Sequence, residues 1–87
     1  MRKRNKNKYE KIVNGAKTDL ICRMKDKGYK LMGIATYGDA RDLVFVFEGP
    51  LEDQYYISYT HFINAVNEHR YYEWREKLFG DLFAEEV

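Results

Sequence analysis

The chain has 87 residues, of which 45% are hydrophobic, 16% aromatic and 33% charged, and its formal net charge is +1. This length fits one small domain with a modest core, and the apolar content excludes a wholly disordered chain. Cys22 is the single cysteine, which excludes an intramolecular disulfide and a four-cysteine zinc site.

The two parts of the chain differ strongly in charge. Residues 1–30 contain eleven Lys or Arg and three acidic residues, a net charge of +8, whereas residues 31–87 contain four and eleven, a net charge of −7. Opposite fields on one small body either neutralise each other in the fold or attract partners of opposite charge.

The sequence also bears on location. It has no apolar run near the roughly 20 residues that a membrane helix needs. The basic start MRKRNKNK leads into no apolar segment of the kind found in a secretory signal. A single cysteine fits a reducing compartment. We therefore expect a cytoplasmic protein of a host cell, with no membrane partner.

The first predicted elements are a flexible basic arm over residues 1–8 and a single α+β domain over residues 9–87. Apolar residues then recur on one face of a helix, at Tyr9, Val13, Ala16, Leu20 and Met24. Asn14 and Gly15 interrupt this pattern. The sequence therefore predicts a firm helix from the N-cap residue Thr18 to Gly28, a left-handed C′ residue.

Three strands are predicted next, over residues 29–37, 43–47 and 54–59. The turn GDARD separates the first two, and Gly49 with Pro50 ends the second. The second strand, LVFVF, is apolar on both faces, which is typical of a strand covered on both sides. The cover is expected from the helices or from a partner.

A second helix is predicted from Thr60, its N-cap, to a stop at Gly80. Its apolar stripe changes direction in the second half, so either the helix bends near His69 and Arg70 or aromatic residues stay exposed for a partner. The order helix, three strands, helix, with short connections, predicts an α+β fold. It consists of a three-stranded antiparallel sheet with the helices packed on one face.

No residue pattern predicts catalysis, a cofactor or a metal. His61 and His69 lie about 12 Å apart along the predicted helix, too far for one metal ion. Cys22 lies near the middle of a helix, where a thiolate lacks activation. No Gly-rich phosphate loop joins a strand to a helix. We therefore expect a non-enzymatic protein.

Three kinds of partner remain. The basic arm is expected to bind nucleic-acid phosphates by counterion release, through Arg2, Lys3, Arg4, Lys6 and Lys8. The acidic part is expected to imitate DNA phosphates and to bind a host nuclease or other nucleic-acid-binding protein. The residues expected to contact such a partner are Glu52, Asp53, Gln54, Tyr56, Asp39, Asp42, Glu85 and Glu86. Self-association into a homodimer that covers LVFVF is the third alternative.

One stretch resembles a known family. DLICRMKDKGY (19–29) followed by YYIS (55–58) is similar to small phage-encoded anti-CRISPR inhibitors of type II-A Cas9. The matching residues, in the same order, are Asp19, Leu20, Ile21, Lys25, Lys27, Tyr29, Tyr55, Ile57 and Ser58.

The resemblance implies a DNA mimic that blocks the cleft in which the enzyme reads its short recognition motif. Such inhibitors use an acidic hairpin turn between the second and third strands, where this chain has Glu52 and Asp53. The chain departs from the family at Gly28, where the family has an acidic residue, and in its basic arm.

Overall fold

The structure is a computed structural model that describes the backbone of residues 2–83 and the side chains of residues 8–83. The elements are α1 (Arg2–Asp26), β1 (Lys30–Tyr37), β2 (Asp42–Glu48), β3 (Gln54–Ser58), α2 (Tyr59–Asn67) and α3 (Tyr71–Leu82). The strands form one antiparallel sheet in the order β1-β2-β3. This confirms the predicted α+β fold. Among the described residues, no helix is both long and apolar enough to cross a membrane.

Helix α1 is longer than predicted. It runs through Asn14 and Gly15 without a break, so Thr18 lies inside the helix and is not its N-cap. Residues 2–8, expected to form a flexible arm, are its first turns. A glycine inside a helix costs about 1 kcal/mol relative to alanine, and the burial of Val13 and Leu20 on either side outweighs this cost.

The end of α1 is where the sequence predicts it. Gly28 has a φ of +93°, and its N–H donates to the carbonyl of Lys25 at 2.9 Å. The N–H of Tyr29 donates to the carbonyl of Met24 at 2.9 Å. These two bonds form a Schellman motif, which ends the helix and directs the chain into β1.

The predicted second helix is two helices. The bend expected near His69 and Arg70 is confirmed as a full interruption, and the prediction of one continuous helix to Gly80 is wrong. The N-cap of α2 is Ser58, whose Oγ accepts from the N–H of His61 at 3.1 Å, so the third strand ends before Tyr59. The helical conformation is interrupted between α2 and α3, where His69 adopts a φ of +57°. This is the place where the apolar stripe changes direction, and α3 continues from there past Gly80.

The core lies between the helices and one face of the sheet. Its largest fully buried side chains are Phe45, Phe47, Phe62, Leu20 and Met24. The ring of Phe62 on α2 lies 5.3 Å from that of Phe45 on β2 and 5.9 Å from that of Trp74 on α3. One aromatic side chain therefore joins the sheet to both C-terminal helices.

Candidate functional site

The second face of the sheet carries no helix among the described residues. Residues paired across antiparallel strands share a face, and successive residues alternate between faces. Val44 pairs with Ala35 and Ser58, so these three side chains lie on one face of the sheet, and Phe45 and Phe47 lie on the other face. We call this surface the open face and define it by Tyr37, Asp42, Val44, Gln54 and Tyr56.

Two tyrosines dominate the open face. The rings of Tyr37 on β1 and Tyr56 on β3 lie 4.7 Å apart, which brings them together over β2. Val44 beneath them is buried, so the protein itself covers part of the second apolar face of β2. Tyr37 and Tyr56 remain 56% and 46% exposed as residues, and the hydroxyl of Tyr56 donates to Oε1 of Gln54 at 2.8 Å. This tyrosine pair is consequently ordered and accessible.

A cavity of about 340 Å³ opens beside the tyrosine pair. Its polar lining comes from Asp42 and from Ser58, Thr60 and His61 where β3 passes into α2. A carboxylate and hydroxyl oxygens offer acceptors to an Arg or Lys side chain, with a tyrosine ring alongside. The cavity can thus receive a basic side chain of a partner.

The turn between β2 and β3 is closed by hydrogen bonds. The N–H of Gly49 donates to the carbonyl of Asp53 at 2.8 Å, and the N–H of Glu52 donates to the carbonyl of Gly49 at 3.0 Å. The hydroxyl of Tyr29 donates to Oδ2 of Asp53 at 2.9 Å. Asp53 therefore holds the turn in place, while Glu52 is exposed and Leu51 is 87% exposed at its tip.

An aromatic cluster supports this turn. The rings of Tyr29 and Tyr55 are stacked 4.8 Å apart, and that of Phe83 lies 5.9 Å from Tyr29. Hydrogen bonding with Tyr55 and with Asp53 raises the pKa of Tyr29 well above its usual value. Tyr29 therefore remains a donor at physiological pH, and the turn keeps its anchor.

Replacing Gly49 by alanine is expected to lower the free energy of unfolding by about 1–3 kcal/mol. A Cβ at this position would lie 2.5 Å from Cε2 of Tyr29 and 2.7 Å from Oδ1 of Asp53, so the turn and its anchor cannot both keep their places. Urea unfolding measures the loss. Gly15→Ala is the matched control, since a Cβ there meets nothing within 4 Å and alanine favours a helix. Equal stability of the two variants would contradict this account of the turn.

The structure does not gather the predicted acidic residues into one surface. Asp39 and Asp42 belong to the β1–β2 end of the sheet, and Glu52 and Asp53 to the β2–β3 end. Strand β2 separates these ends by about 20 Å. The two turns therefore do not form one acidic face, because consecutive turns of an antiparallel meander lie at opposite ends of the sheet. Glu85 and Glu86 lie outside the described residues.

Other predicted contact residues do come together. The open face holds Asp42, Gln54 and Tyr56 on neighbouring strands. Tyr37, which the sequence did not single out, lies on the same face beside Tyr56. The alternation of residues along β1 could have indicated which residues share a face with Tyr37. Which of the two faces is open, however, follows from the pairing of β1 with β2, and this pairing shifts register between Leu31 and Gly33.

Candidate nucleic-acid-binding residues occupy the start of α1. Arg2, Lys3, Arg4, Lys6 and Lys8 all belong to this helix. Lys8 is exposed, and the first buried residue among the described side chains is Val13. The helix therefore has a basic stretch of about 16 Å ahead of its contact with the core.

The two histidines and the cysteine lie on different elements. His61 is on α2, His69 is in the break after it, and Cys22 is exposed on α1. Within residues 2–83, the side chains described include no group of three potential metal ligands.

The best connected charged group is Asp19, which joins α1 to α3. Its Oδ2 accepts from the hydroxyl of Tyr71 at 2.8 Å and from a guanidinium nitrogen of Arg75 at 2.6 Å. Burial acts to raise the pKa of Asp19, but the hydrogen bonds from Tyr71 and Arg75 outweigh it and lower the pKa overall. This is a structural contact, remote from the open face.

Three features of the described residues offer contacts to a partner: the open face, the β2–β3 turn beside it, and the basic start of α1. The first two adjoin at Gln54, the residue that begins β3. No family model matches the sequence, and neither a curated protein nor a solved structure matches it.

Proposed function

We propose that this protein is a non-catalytic inhibitor, encoded by a phage or other mobile element, that binds a host defence nuclease through the open face and the β2–β3 turn. The observation that carries the proposal is the tyrosine pair, which lies exposed on a sheet face without a helix. Tyrosine is among the residues that supply most of the binding energy at protein interfaces. The type II-A Cas9 class is the partner that the resemblance implies.

The charges on this side of the sheet support a protein partner with a basic cleft. The strands place Asp42, Glu48 and Lys30 on the same side as the tyrosine pair, two carboxylates against one ammonium group. A nucleic acid would meet these carboxylates with its phosphates, whereas a cleft that binds DNA supplies Arg and Lys. The cavity beside Asp42 adds a place for one such side chain.

The β2–β3 turn supplies the second contact. Its hydrogen bonds to Gly49 and Tyr29 keep its shape before binding, so little conformational entropy is lost on docking. Glu52 is the carboxylate that the turn presents to solvent, and Leu51 lies beside it. Glu52 therefore takes the role of a phosphate mimic, and Asp53 positions the turn.

The test is DNA cleavage by a type II-A Cas9 in the presence of increasing amounts of this protein. Tyr56→Ala and Glu52→Lys are each expected to raise the inhibitory concentration about tenfold or more, since an anchor and a charge pair are lost. Tyr72→Ala is the control, because Tyr72 is an equally large exposed ring on α3. Full inhibition by both variants, or no inhibition by the wild-type protein, would overturn the proposal.

A second candidate function is nucleic-acid binding by the start of α1. The observation that favours it is that helix α1 is continuous from Arg2 into the core. The segment expected to be a flexible arm is therefore a helical extension of the domain. Affinity for duplex DNA is measured against salt for the full chain and for a chain lacking residues 2–8. Counterion release predicts a steep salt dependence that the deletion reduces. Salt-independent or absent binding would eliminate this function.

A further inference from the structure

Strand β1 forms an edge of the sheet. It has 8 residues, against 5 in β3 at the other edge, and only β2 pairs with it. No backbone hydrogen bond found between described residues reaches its outer side. An exposed edge strand presents unpaired N–H and C=O groups, which are a template for a further strand.

The first half of β1 carries features that discourage such pairing, and the second half does not. Lys30 is its only charged residue, and the pairing irregularity lies between Leu31 and Gly33. Charged residues and bulges are the usual means by which proteins protect an edge. Residues 33–37 contain no charge, no proline and no irregularity, so this half of the edge is free to pair.

Apolar side chains are left uncovered beside this half of the edge. Ile34 on β1 and Leu43 on β2 lie on the helix side of the sheet, as their pairings with Phe45 and Thr36 show. Both are 44% exposed, because the helices cover the other end of this face. The backbone edge of residues 33–37 and the side chains of Ile34 and Leu43 form one surface. A strand paired with β1, together with the next strand of the partner's sheet, would cover it.

We propose that residues 33–37 of two copies of this chain pair antiparallel about a twofold axis at Ala35. The two three-stranded sheets then join into one continuous sheet. In this register Ile34 faces the second copy's Thr36, and Gly33 faces the second copy's Tyr37. Each pair lies on one face of the sheet, as antiparallel pairing requires.

The chemistry of the edge favours a second copy as the occupant. The Lys30 ammonium groups of the two copies lie beyond opposite ends of the paired segment, so no like charges meet. A Cβ at Gly33 would have nothing within 4 Å, so no described atom blocks the approach of a second strand at this point. The Ile34 side chains of the two copies become diagonal neighbours across the axis, and Leu43 of each copy lies one strand further out, behind Thr36.

The paired segment is short, so we expect an interface area at the low end of the range for protein interfaces. We therefore expect a dimer that forms with increasing concentration. The open face stays exposed in this dimer, because the edge and not the face is covered. The inference goes beyond the proposed function and does not depend on it.

The first test is the molar mass from light scattering or sedimentation across a concentration series. Wild-type protein is expected to pass from monomer mass to twice that mass. Ile34→Lys is expected to shift the midpoint at least tenfold upward, because two ammonium groups then meet near the axis. Ile12→Lys is the matched control, since Ile12 on α1 is 51% exposed and remote from β1. A wild-type monomer at every concentration, or an unchanged midpoint in Ile34→Lys, would overturn the dimer.

A second measurement does not depend on how well Ile34→Lys folds. Cys22 is first replaced by serine, since it is exposed, and Ala35→Cys is introduced into that chain. Residues paired across strands have Cβ atoms about 5 Å apart, so mild oxidation is expected to cross-link two copies through position 35. Ala40→Cys in the β1–β2 turn is the control. Equal cross-linking of both variants would contradict the pairing. Protection of β1 amides from hydrogen exchange only after addition of Cas9 would instead assign the edge to a strand of that partner.

Discussion

Replacing Phe62 by alanine is expected to lower the free energy of unfolding by about 4 kcal/mol. Phe62 is fully buried, and its ring contacts those of Phe45, Tyr59, Tyr71 and Trp74 at centroid distances from 5.3 to 5.9 Å. These partners come from the sheet and from both C-terminal helices. The alanine variant therefore leaves a cavity that none of the surrounding elements can close alone.

Urea unfolding of the wild-type protein and the Phe62→Ala variant measures this effect. A domain of this size has a total stability of about 5–15 kcal/mol, so the variant is expected to be partly unfolded at elevated temperature. Tyr72→Ala is the control, because it removes an exposed ring from the next helix. A loss below about 1 kcal/mol in Phe62→Ala would show that this ring does not join sheet and helices as described.

Replacing Asp19 by asparagine is expected to lower the free energy of unfolding by about 2 kcal/mol at neutral pH. The carboxylate accepts charge-assisted hydrogen bonds, and the side chain of Arg75 that donates one of them is largely buried. Asparagine at position 19 removes the negative charge that α1 places against this guanidinium, which keeps its contact with Glu76 on its own helix at 2.9 Å. Asp39→Asn is the matched control, since Asp39 is exposed in the β1–β2 turn.

The pH dependence of the same pair of proteins provides a separate check. The pKa of Asp19 is lower in the folded protein than in the unfolded chain, where an aspartate titrates near about 3.9. Its contribution to stability is therefore present above about pH 4 and is lost as the pH falls through the lower folded pKa. The stability difference between wild-type and Asp19→Asn protein is expected to shrink in this range. A difference that stays constant down to low pH would contradict the role given to the carboxylate.

The strands and the C-terminal end of α1 were predictable because their signals are local. The run LVFVF is strongly β-forming, and β2 extends it by one residue on each side. Gly28 ends α1 as predicted, because a left-handed residue is needed at that point and glycine adopts it without steric cost. Both signals depend only on the residues themselves and their immediate neighbours.

Helix continuity was not predictable in the same way. Gly15 weakens a helix locally, yet α1 passes through it, because burial of Val13 and Leu20 against the rest of the protein outweighs the propensity. Between α2 and α3 the opposite happens. The change in the apolar stripe indicated either a bend near His69 or exposed aromatic residues, and in the structure the helix is interrupted at His69. Across this interruption the rings of Phe62 on α2 and Trp74 on α3 lie 5.9 Å apart in the same core.

In the candidate site, too, some features follow from the local sequence and others only from the tertiary structure. The alternation of β3 by itself places Tyr56 on the face opposite to Tyr55 and Ile57, and the burial of these residues agrees. The sequence by itself also determined the fold class, since apolar periodicity and turn residues act over a few neighbours. Only the tertiary structure decided that Tyr37 joins Tyr56, that Asp53 is bound by Tyr29, and that the acidic turns lie at opposite ends of the sheet. These relations depend on strand pairing between residues distant in the chain, which no local pattern specifies.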